Sequence, residues 1–113
     1  MIQLVNLTDD VVINILMKSG EIRSIVRPKD VNPARIMSHQ QVVRIINGIE
    51  VKKTVIDGIN DLPPAQPGVY YITSYLVAIY AQRNDVLCPN SYPKEIYRQD
   101  GEVLLVKSLQ SLV

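Results

Sequence analysis

Hydroxyl and amide side chains follow two short apolar runs in the second half of the chain. Thr73 and Ser74 come directly after residues 69–72, and Asn90 follows residues 86–89. Such groups can hydrogen-bond an anion without carrying a charge themselves. Ser74 is also a good helix N-cap, because its hydroxyl can accept from the first free backbone N–H groups. The residue types therefore point to binding of a small anion.

A strand, a helix and a second strand must position these side chains. Residues 69–72 predict a strand, residues 75–82 a short helix that is apolar on most sides, and residues 86–88 a strand that ends at Pro89. A unit this short is typical of a right-handed crossover between neighbouring parallel strands. The carboxyl ends of both strands and the helix N-terminus then share one sheet edge, where open α/β sheets bind ligands. The sequence predicts that this edge collects Thr73, Ser74, Pro89, Asn90, Ser91 and Tyr92.

Arg83 and Asp85 follow the predicted helix at its other end. In a monomer we interpret them as a cation favoured by the helix dipole and a local salt bridge. In an oligomer, Arg83 could reach into the site of a neighbouring copy. The two interpretations differ in whether Arg83 touches a ligand.

The remaining elements are predicted to be strands joined by turns. Lys18–Glu21 is the turn of one hairpin, and Asn47-Gly48 is the turn of another, because a type I′ turn needs positive φ at both central residues. The proline-rich segment from Asp57 to Gly68 predicts a surface loop. The strands fall at residues 2–5, 11–17, 21–26, 34–46, 49–55, 95–98 and 103–109, with a turn at 99–102. This predicts an α+β fold, a mixed and mostly antiparallel sheet with one short helix in a β-α-β crossover.

Composition narrows the class of protein. A chain of 113 residues with 47% hydrophobic residues predicts one globular domain, residues 1–113. The net charge of +1 provides no basic field for nucleic acid. No apolar run approaches the roughly 20 residues of a membrane span, and residues 1–10 do not resemble a signal peptide. A single cysteine fits a reducing compartment, so we expect a cytoplasmic protein without a membrane partner.

Catalytic and metal-binding patterns are weak. His39 and Cys88 are single residues of their kind and cannot alone complete a zinc site, which needs three or four ligands. Asp9 and Asp10 are adjacent, so on a strand they would point to opposite faces. No phosphate-binding glycine loop or dinucleotide fingerprint occurs. We expect a protein that is not an enzyme and holds no cofactor or metal, with a hydrolase using Asp10 and His39 as a weak alternative.

Self-association is also predicted. A helix that is apolar on most faces has little surface left for solvent, and short sheets leave edges that need covering. We therefore expect a homo-oligomer.

A family resemblance appears in short motifs spread along most of the chain. In order they are Asn6-Leu7-Thr8, Asn47-Gly48-Ile49, Gly68, Tyr71-Ile72, Ser74, Ala78, Arg83, Asp85 and Pro89. The chain resembles the small, mostly uncharacterised proteins of bacteria and their phages that open with an Asn-Leu-Thr-Pro-His strand. It departs from them where Asp9 replaces the proline and Asp10 the histidine. Any role of that histidine is lost or altered here, and the family supplies no settled activity.

The resemblance implies a phage context and the cytoplasm of the host cell. Small sheet-rich phage proteins can hold host signalling nucleotides without cleaving them, which counters a host defence. In such a protein Thr73 and Ser74 would bind phosphate, and Arg83 would add a bidentate contact. The tyrosines would stack on a base, the candidates being Tyr71, Tyr75 and Tyr92. The alternative is a structural or adaptor protein that binds another protein through a sheet edge.

Overall fold

The computed structural model describes residues 1–99 and 102–113, with side chains described for residues 1–97 and 105–113. The α-helix of the described residues is α1 (Tyr75–Ala81), and a single 3₁₀ turn spans Pro93–Glu95. The strands are β1 (Gln3–Asn6), β2 (Val12–Leu16), β3 (Ile22–Val26), β4 (Arg35–Ile46), β5 (Ile49–Asn60), β6 (Val69–Ile72), β7 (Val86–Pro89), β8 (Ile96–Gln99), β9 (Glu102–Val106) and β10 (Leu109–Ser111).

The strands form three sheets rather than the single sheet predicted. The central sheet has the order β1-β6-β7-β10, and the outer sheet has the order β3-β2-β9-β8. The third sheet is the hairpin of β4 and β5, which we call the arm. Parallel and antiparallel pairs occur together in both larger sheets. The α+β class with mixed sheets and a short helix is confirmed.

The predicted crossover is present. β6 and β7 are parallel neighbours, with Tyr71 opposite Val86, and α1 connects them. Ser74 caps the helix as predicted, and its side chain accepts from Val77 N. The helix ends slightly earlier than predicted, because Gln82 adopts a left-handed conformation with φ of 52°. Such a residue terminates the helix and turns the chain toward β7.

Neighbouring residues of β6 face opposite layers of the protein, as alternation along a strand requires. Tyr71 packs with Leu7, Ala34 and the helix residue Val77. Ile72 packs on the other face with three residues of the outer sheet, which are Ile13, Ile15 and Val106. The central sheet is therefore the middle layer, with the outer sheet on one side and the helix and the base of the arm on the other.

The arm is longer than predicted. Asn47 and Gly48 both have positive φ, 51° and 78°, which confirms the predicted turn geometry. β5 continues to Asn60, so the first residues of the segment predicted as a loop from Asp57 are strand. Each strand has 12 residues and spans about 40 Å at the usual rise per residue. The radius of gyration is 16.9 Å, against about 13 Å for a compact chain of this length.

The last predicted strand, residues 103–109, is two strands. β9 pairs with β8 in the predicted hairpin. The turn predicted at residues 99–102 includes residues 100 and 101, which lie outside the described residues. β10 leaves the outer sheet and pairs antiparallel with β7 in the central sheet. The C-terminal segment therefore joins the two larger sheets.

Candidate functional site

The predicted edge begins with Thr73, which is fully buried. Its N–H donates to Leu87 O at 2.8 Å and so continues the parallel pairing of β6 with β7. Its hydroxyl lies 3.0 Å from Ser74 O, to which it donates. The Thr73 hydroxyl therefore donates to a backbone carbonyl oxygen of the protein itself.

Ser74 is exposed, and its hydroxyl caps the helix. Its Oγ accepts from Val77 N at 3.4 Å, and its carbonyl oxygen accepts from Ala78 N at 3.0 Å. Ser74 therefore lies at the helix start in an exposed position. The contacts it makes are those of an N-cap.

Asn90 joins the end of β7 to the segment that leads into β10. Its Nδ2 donates to Ser108 Oγ at 3.0 Å, and its backbone N–H donates to Ser108 O at the same distance. Its Oδ1 accepts from Tyr92 N at 3.1 Å. Both ends of the Asn90 amide therefore have partners within the protein, while the Tyr92 side chain is 67% exposed.

The three candidate tyrosines lie in different environments. Tyr71 is buried in the core, and its hydroxyl lies 3.4 Å from Pro64 O. Tyr75 is half-exposed at the start of the helix, and Tyr92 is exposed after β7. Two of the three rings, Tyr75 and Tyr92, have a surface that a base could stack on.

Arg83 and Asp85 form the local salt bridge that the sequence indicated. Arg83 Nε lies 2.9 Å from Asp85 Oδ1, and Nη2 lies 2.6 Å from Oδ2. Arg83 Nη1 donates to Pro63 O at 3.0 Å. The hydrogen bonds from Arg83 hold the pKa of the Asp85 carboxyl below its usual range, although burial opposes this. The guanidinium fork fastens the α1–β7 connection to the segment that precedes β6.

Replacing Asp85 with asparagine should lower the free energy of unfolding at pH 7 by about 1–2 kcal/mol, because the amide has no negative charge and can accept only one of the two hydrogen bonds from Arg83. The side chains of Arg83 and Asp85 are 28% and 17% exposed, so solvent screens the pair only partly. The pKa of Asp85 is lowered in the folded state, so its contribution is present above the ordinary value of 3.8 and is lost as pH falls through the folded pKa.

Urea unfolding at pH 7 and at steps down to about pH 2 measures this effect. The difference between the parent protein and the Asp85→Asn variant should shrink below about pH 4. Asp9→Asn is the matched control, because its salt bridge with Arg35 is exposed and should contribute less than about 1 kcal/mol. Equal effects of the two substitutions would contradict the role assigned to Arg83 and Asp85.

A cleft of about 390 Å³ lies between β2, β9 and the end of β7. Its polar side chains are Asp10 and Asn14, and Pro89 lies at its edge. Thr73, Ser74 and Asn90 are not among its lining residues, which are Asp10, Val12, Ile13, Asn14, Pro89, Leu105 and Val106. Of the residues predicted at the sheet edge, Pro89 therefore lines this cleft, whereas Thr73, Ser74 and Asn90 do not.

The Asn6-Leu7-Thr8 triplet has a structural role that the sequence reasoning missed. Asn6 is fully buried, and its Nδ2 donates to Asp10 O at 3.0 Å and to Ile25 O at 3.1 Å. Its Oδ1 accepts from Thr8 N and Thr8 Oγ1 at 2.9 and 2.7 Å. An Asn followed two residues later by Thr, directly after a strand, is the signal of an Asx turn and could have indicated it.

The arm carries apolar side chains at its exposed end. Ile45, Ile46 and Ile49 are 66%, 51% and 67% exposed. Nearer the body of the protein, His39 Nδ1 lies 2.8 Å from Asp57 Oδ2, and Gln41 Nε2 lies 3.1 Å from His39 Nε2. Both ring nitrogens of His39 are therefore engaged with side chains of the arm itself.

Cys88 is fully buried against the helix, and its thiol faces Gln110 Oε1 at 3.9 Å. Burial raises the pKa of this thiol, which disfavours the thiolate form. Within residues 1–99 and 102–113, no group of three or more His, Cys, Asp or Glu side chains is placed to hold a metal ion. No helix in this described part is both long and apolar enough to cross a membrane.

No family model matches the chain, and no curated protein or solved structure is significantly similar to it. The resemblance to small bacterial and phage proteins stays a prediction, and so does the phage context that it implies. Function must therefore be inferred from the residues and contacts of this chain.

Proposed function

We propose that this protein is a non-enzymatic structural or adaptor protein that binds another polypeptide through the arm. The proposal rests on the pairing and the exposed side chains of the arm. Among the described strands, β4 and β5 pair only with each other. Apolar side chains are exposed at the turn that joins them. The arm therefore offers unpaired strand edges and exposed apolar side chains to a partner.

A two-stranded ribbon gains little stability from its own pairing when no partner covers it. An isolated hairpin is marginally stable in water, and three or more strands or a packed face are usually needed. Both outer edges of the arm present N–H and C=O groups that can pair with an added strand. Binding a polypeptide along an edge or face of the arm would cover the exposed side chains of Ile45, Ile46 and Ile49.

Nucleotide sequestration has less support from the contacts. The hydroxyl of Thr73 donates within the protein, and the guanidinium of Arg83 is bound to Asp85 and Pro63 O. A phosphate would have to displace these partners. The pocket for an anionic ligand stays a prediction and is an alternative outcome of the experiment below.

The test places a photo-crosslinking amino acid at Ile46 in living cells. The control position is Val11, which is 59% exposed and lies outside the arm. Irradiation should give an adduct containing a second polypeptide at position 46 and little or none at position 11. The fold of both variants is checked by circular dichroism.

The contrary result has two parts. Crosslinking at position 46 would yield no polypeptide adduct, and the protein purified from the same cells would release an intact nucleotide on heating. These two results together would contradict the adaptor function and support nucleotide sequestration. A converted nucleotide would instead indicate an enzyme.

A further inference from the structure

Charge is distributed unevenly along the arm. The tip half, residues 40–56, carries three basic side chains and one acidic one, namely Arg44, Lys52, Lys53 and Glu50. The root half, which we define as the base of the arm (residues 35–39 and 57–60) together with the adjoining residues 30–34 and 61–62 of the body, carries three acidic side chains and one basic one, namely Asp30, Asp57, Asp61 and Arg35. With His39 neutral, the tip half is net positive by two charges and the root half net negative by two.

A shallow, open cleft at the root half could receive an apolar tip. This root cleft has a volume of about 390 Å³ and is lined by Asp30, Val31, Asn32, Asp61, Leu62 and Pro63. Residues 30–32 lie shortly before β4 and residues 61–63 directly follow β5, so the cleft lies where the arm leaves the body. A lining of three apolar residues and two aspartates suits aliphatic side chains flanked by basic ones.

The tip half has this composition. Ile46 and Ile49 are cross-strand neighbours beside the turn, Ile45 pairs with Glu50 on the next step of the ladder, and Arg44 pairs with Val51 on the step after that. Lys52 and Lys53 follow in β5. The apolar end and the basic residues therefore occupy the part of the arm farthest from the root cleft of the same chain, with the side chains of Lys52 and Lys53 on opposite faces of β5.

We infer that the arm binds a second copy of this chain, with the two arms antiparallel about a two-fold axis and the tip of each against the root of the other. This inference rests on the proposed function, since it names the polypeptide that the arm binds. A two-fold interface requires a self-complementary surface, and the arm together with the segments that adjoin its base carries both the basic apolar tip and the acidic root. Antiparallel arms of equal length bring each tip to a root, so both charge contacts form at once.

Arg35 does not disturb this arrangement. It is the basic side chain of the root half, and its Nη2 lies 2.8 Å from Asp9 Oδ1 of the same chain. The positive charge of Arg35 is therefore balanced locally, which leaves the aspartates to determine the sign of the root.

Reciprocal charge reversal tests the inference. The tip variant carries Lys52→Glu and Lys53→Glu, and the root variant carries Asp30→Lys and Asp61→Lys. The parent protein should sediment as a dimer at micromolar concentration. Each variant alone should self-associate at least ten-fold more weakly, because like charges then meet in both contacts. An equimolar mixture of the two should dimerise again, because each tip then meets a root of opposite charge.

A second variant avoids the backbone at Asp30 and Asp61, where φ is positive and lysine adds strain. Ile46→Ser with Ile49→Ser removes the apolar tip at exposed positions and should also give a monomer with an unchanged melting temperature at low concentration. Leu76→Ser, on the exposed side of the helix, is the matched control and should still dimerise.

A monomeric parent protein at 100 µM would overturn the inference, and so would a dimer that survives both the charge reversals and the serine tip. If the crosslinker at position 46 then captures a different polypeptide, the adaptor function stands and only the identity of the partner is wrong. If it captures none, the adaptor function is wrong as well.

Discussion

Replacing Asn6 with aspartate should lower the free energy of unfolding by about 3–5 kcal/mol. The amide nitrogen of Asn6 donates to the carbonyl oxygens of Asp10 and Ile25 and lies 3.4 Å from that of Val11. A carboxylate cannot donate, so in the variant a buried negative charge would face carbonyl oxygens. The size of the side chain is almost unchanged, so the loss reports the hydrogen bonds rather than packing.

The effect should be larger than one lost hydrogen bond because Asn6 connects three segments. β1 carries it, Ile25 belongs to β3 of the outer sheet, and Asp10 lies in the loop that leads to β2. No buried side-chain nitrogen or oxygen among the described residues lacks a partner. The substitution would introduce several unpaired polar groups into this satisfied interior at once.

Urea unfolding followed by circular dichroism measures the Asn6→Asp effect. Asn84→Asp makes the same chemical change at an exposed position and should alter stability by less than about 0.5 kcal/mol. A loss at Asn6 as small as the loss at Asn84 would mean that the contacts of the buried amide are replaceable by water.

Ile72→Ala should cost about 3–4 kcal/mol, and Ile72→Val about 1 kcal/mol. Ile72 is fully buried on the face of the central sheet that meets the outer sheet. Truncation leaves a cavity between Ile72 and its neighbours Ile13, Ile15 and Val106, which belong to two different strands of the outer sheet. Because each sheet is held in its own position by hydrogen bonds, the gap can close only partly.

Thermal and urea unfolding of the two variants test the graded loss. Ile22→Ala is the control, since Ile22 is exposed on β3 at the edge of the outer sheet. It should cost less than about 1 kcal/mol. If alanine at position 72 is no more costly than alanine at position 22, then the two sheets are not held together by this contact.

Local chemistry accounts for the parts of the fold that were predictable. The turn at Asn47-Gly48 needs two residues that tolerate positive φ, and the sequence supplies both. Ser74 marks the helix start because a hydroxyl must satisfy the first N–H groups. The short connection between β6 and β7 makes them neighbours. Each of these signals lies within a few residues of the structure it specifies.

Pairing between strands that are far apart in the sequence could not be predicted from such local signals. β10 is a three-residue strand whose partner β7 is specified by packing, not by a turn. Alternation indicates that Tyr71 and Ile72 face opposite sides, but it does not indicate that a second sheet covers the Ile72 side. The prediction of one sheet was therefore wrong although most of its strands are present.

The contacts of the candidate site also divide into local ones, which could be predicted, and contacts between distant segments, which could not. The Arg83–Asp85 salt bridge was predictable because both partners are two residues apart. The inward direction of the Thr73 hydroxyl and the contacts of Asn90 with Ser108 depend on which segments lie beside the edge. For Asn6 the acceptor Ile25 O lies on a different strand, so the sequence indicates a local turn but not the burial.

The order in which the strands pair has a consequence for how the chain folds. β1 pairs with β6, Gln3 opposite Val69, and β2 pairs with β9, Ile15 opposite Val106. A ribosome releases β1 and β2 long before their parallel partners, so their edges stay open while the rest of the chain is made. The arm closes through one tight turn and can form within microseconds, whereas the two larger sheets have the non-local topology of domains that fold in milliseconds to seconds.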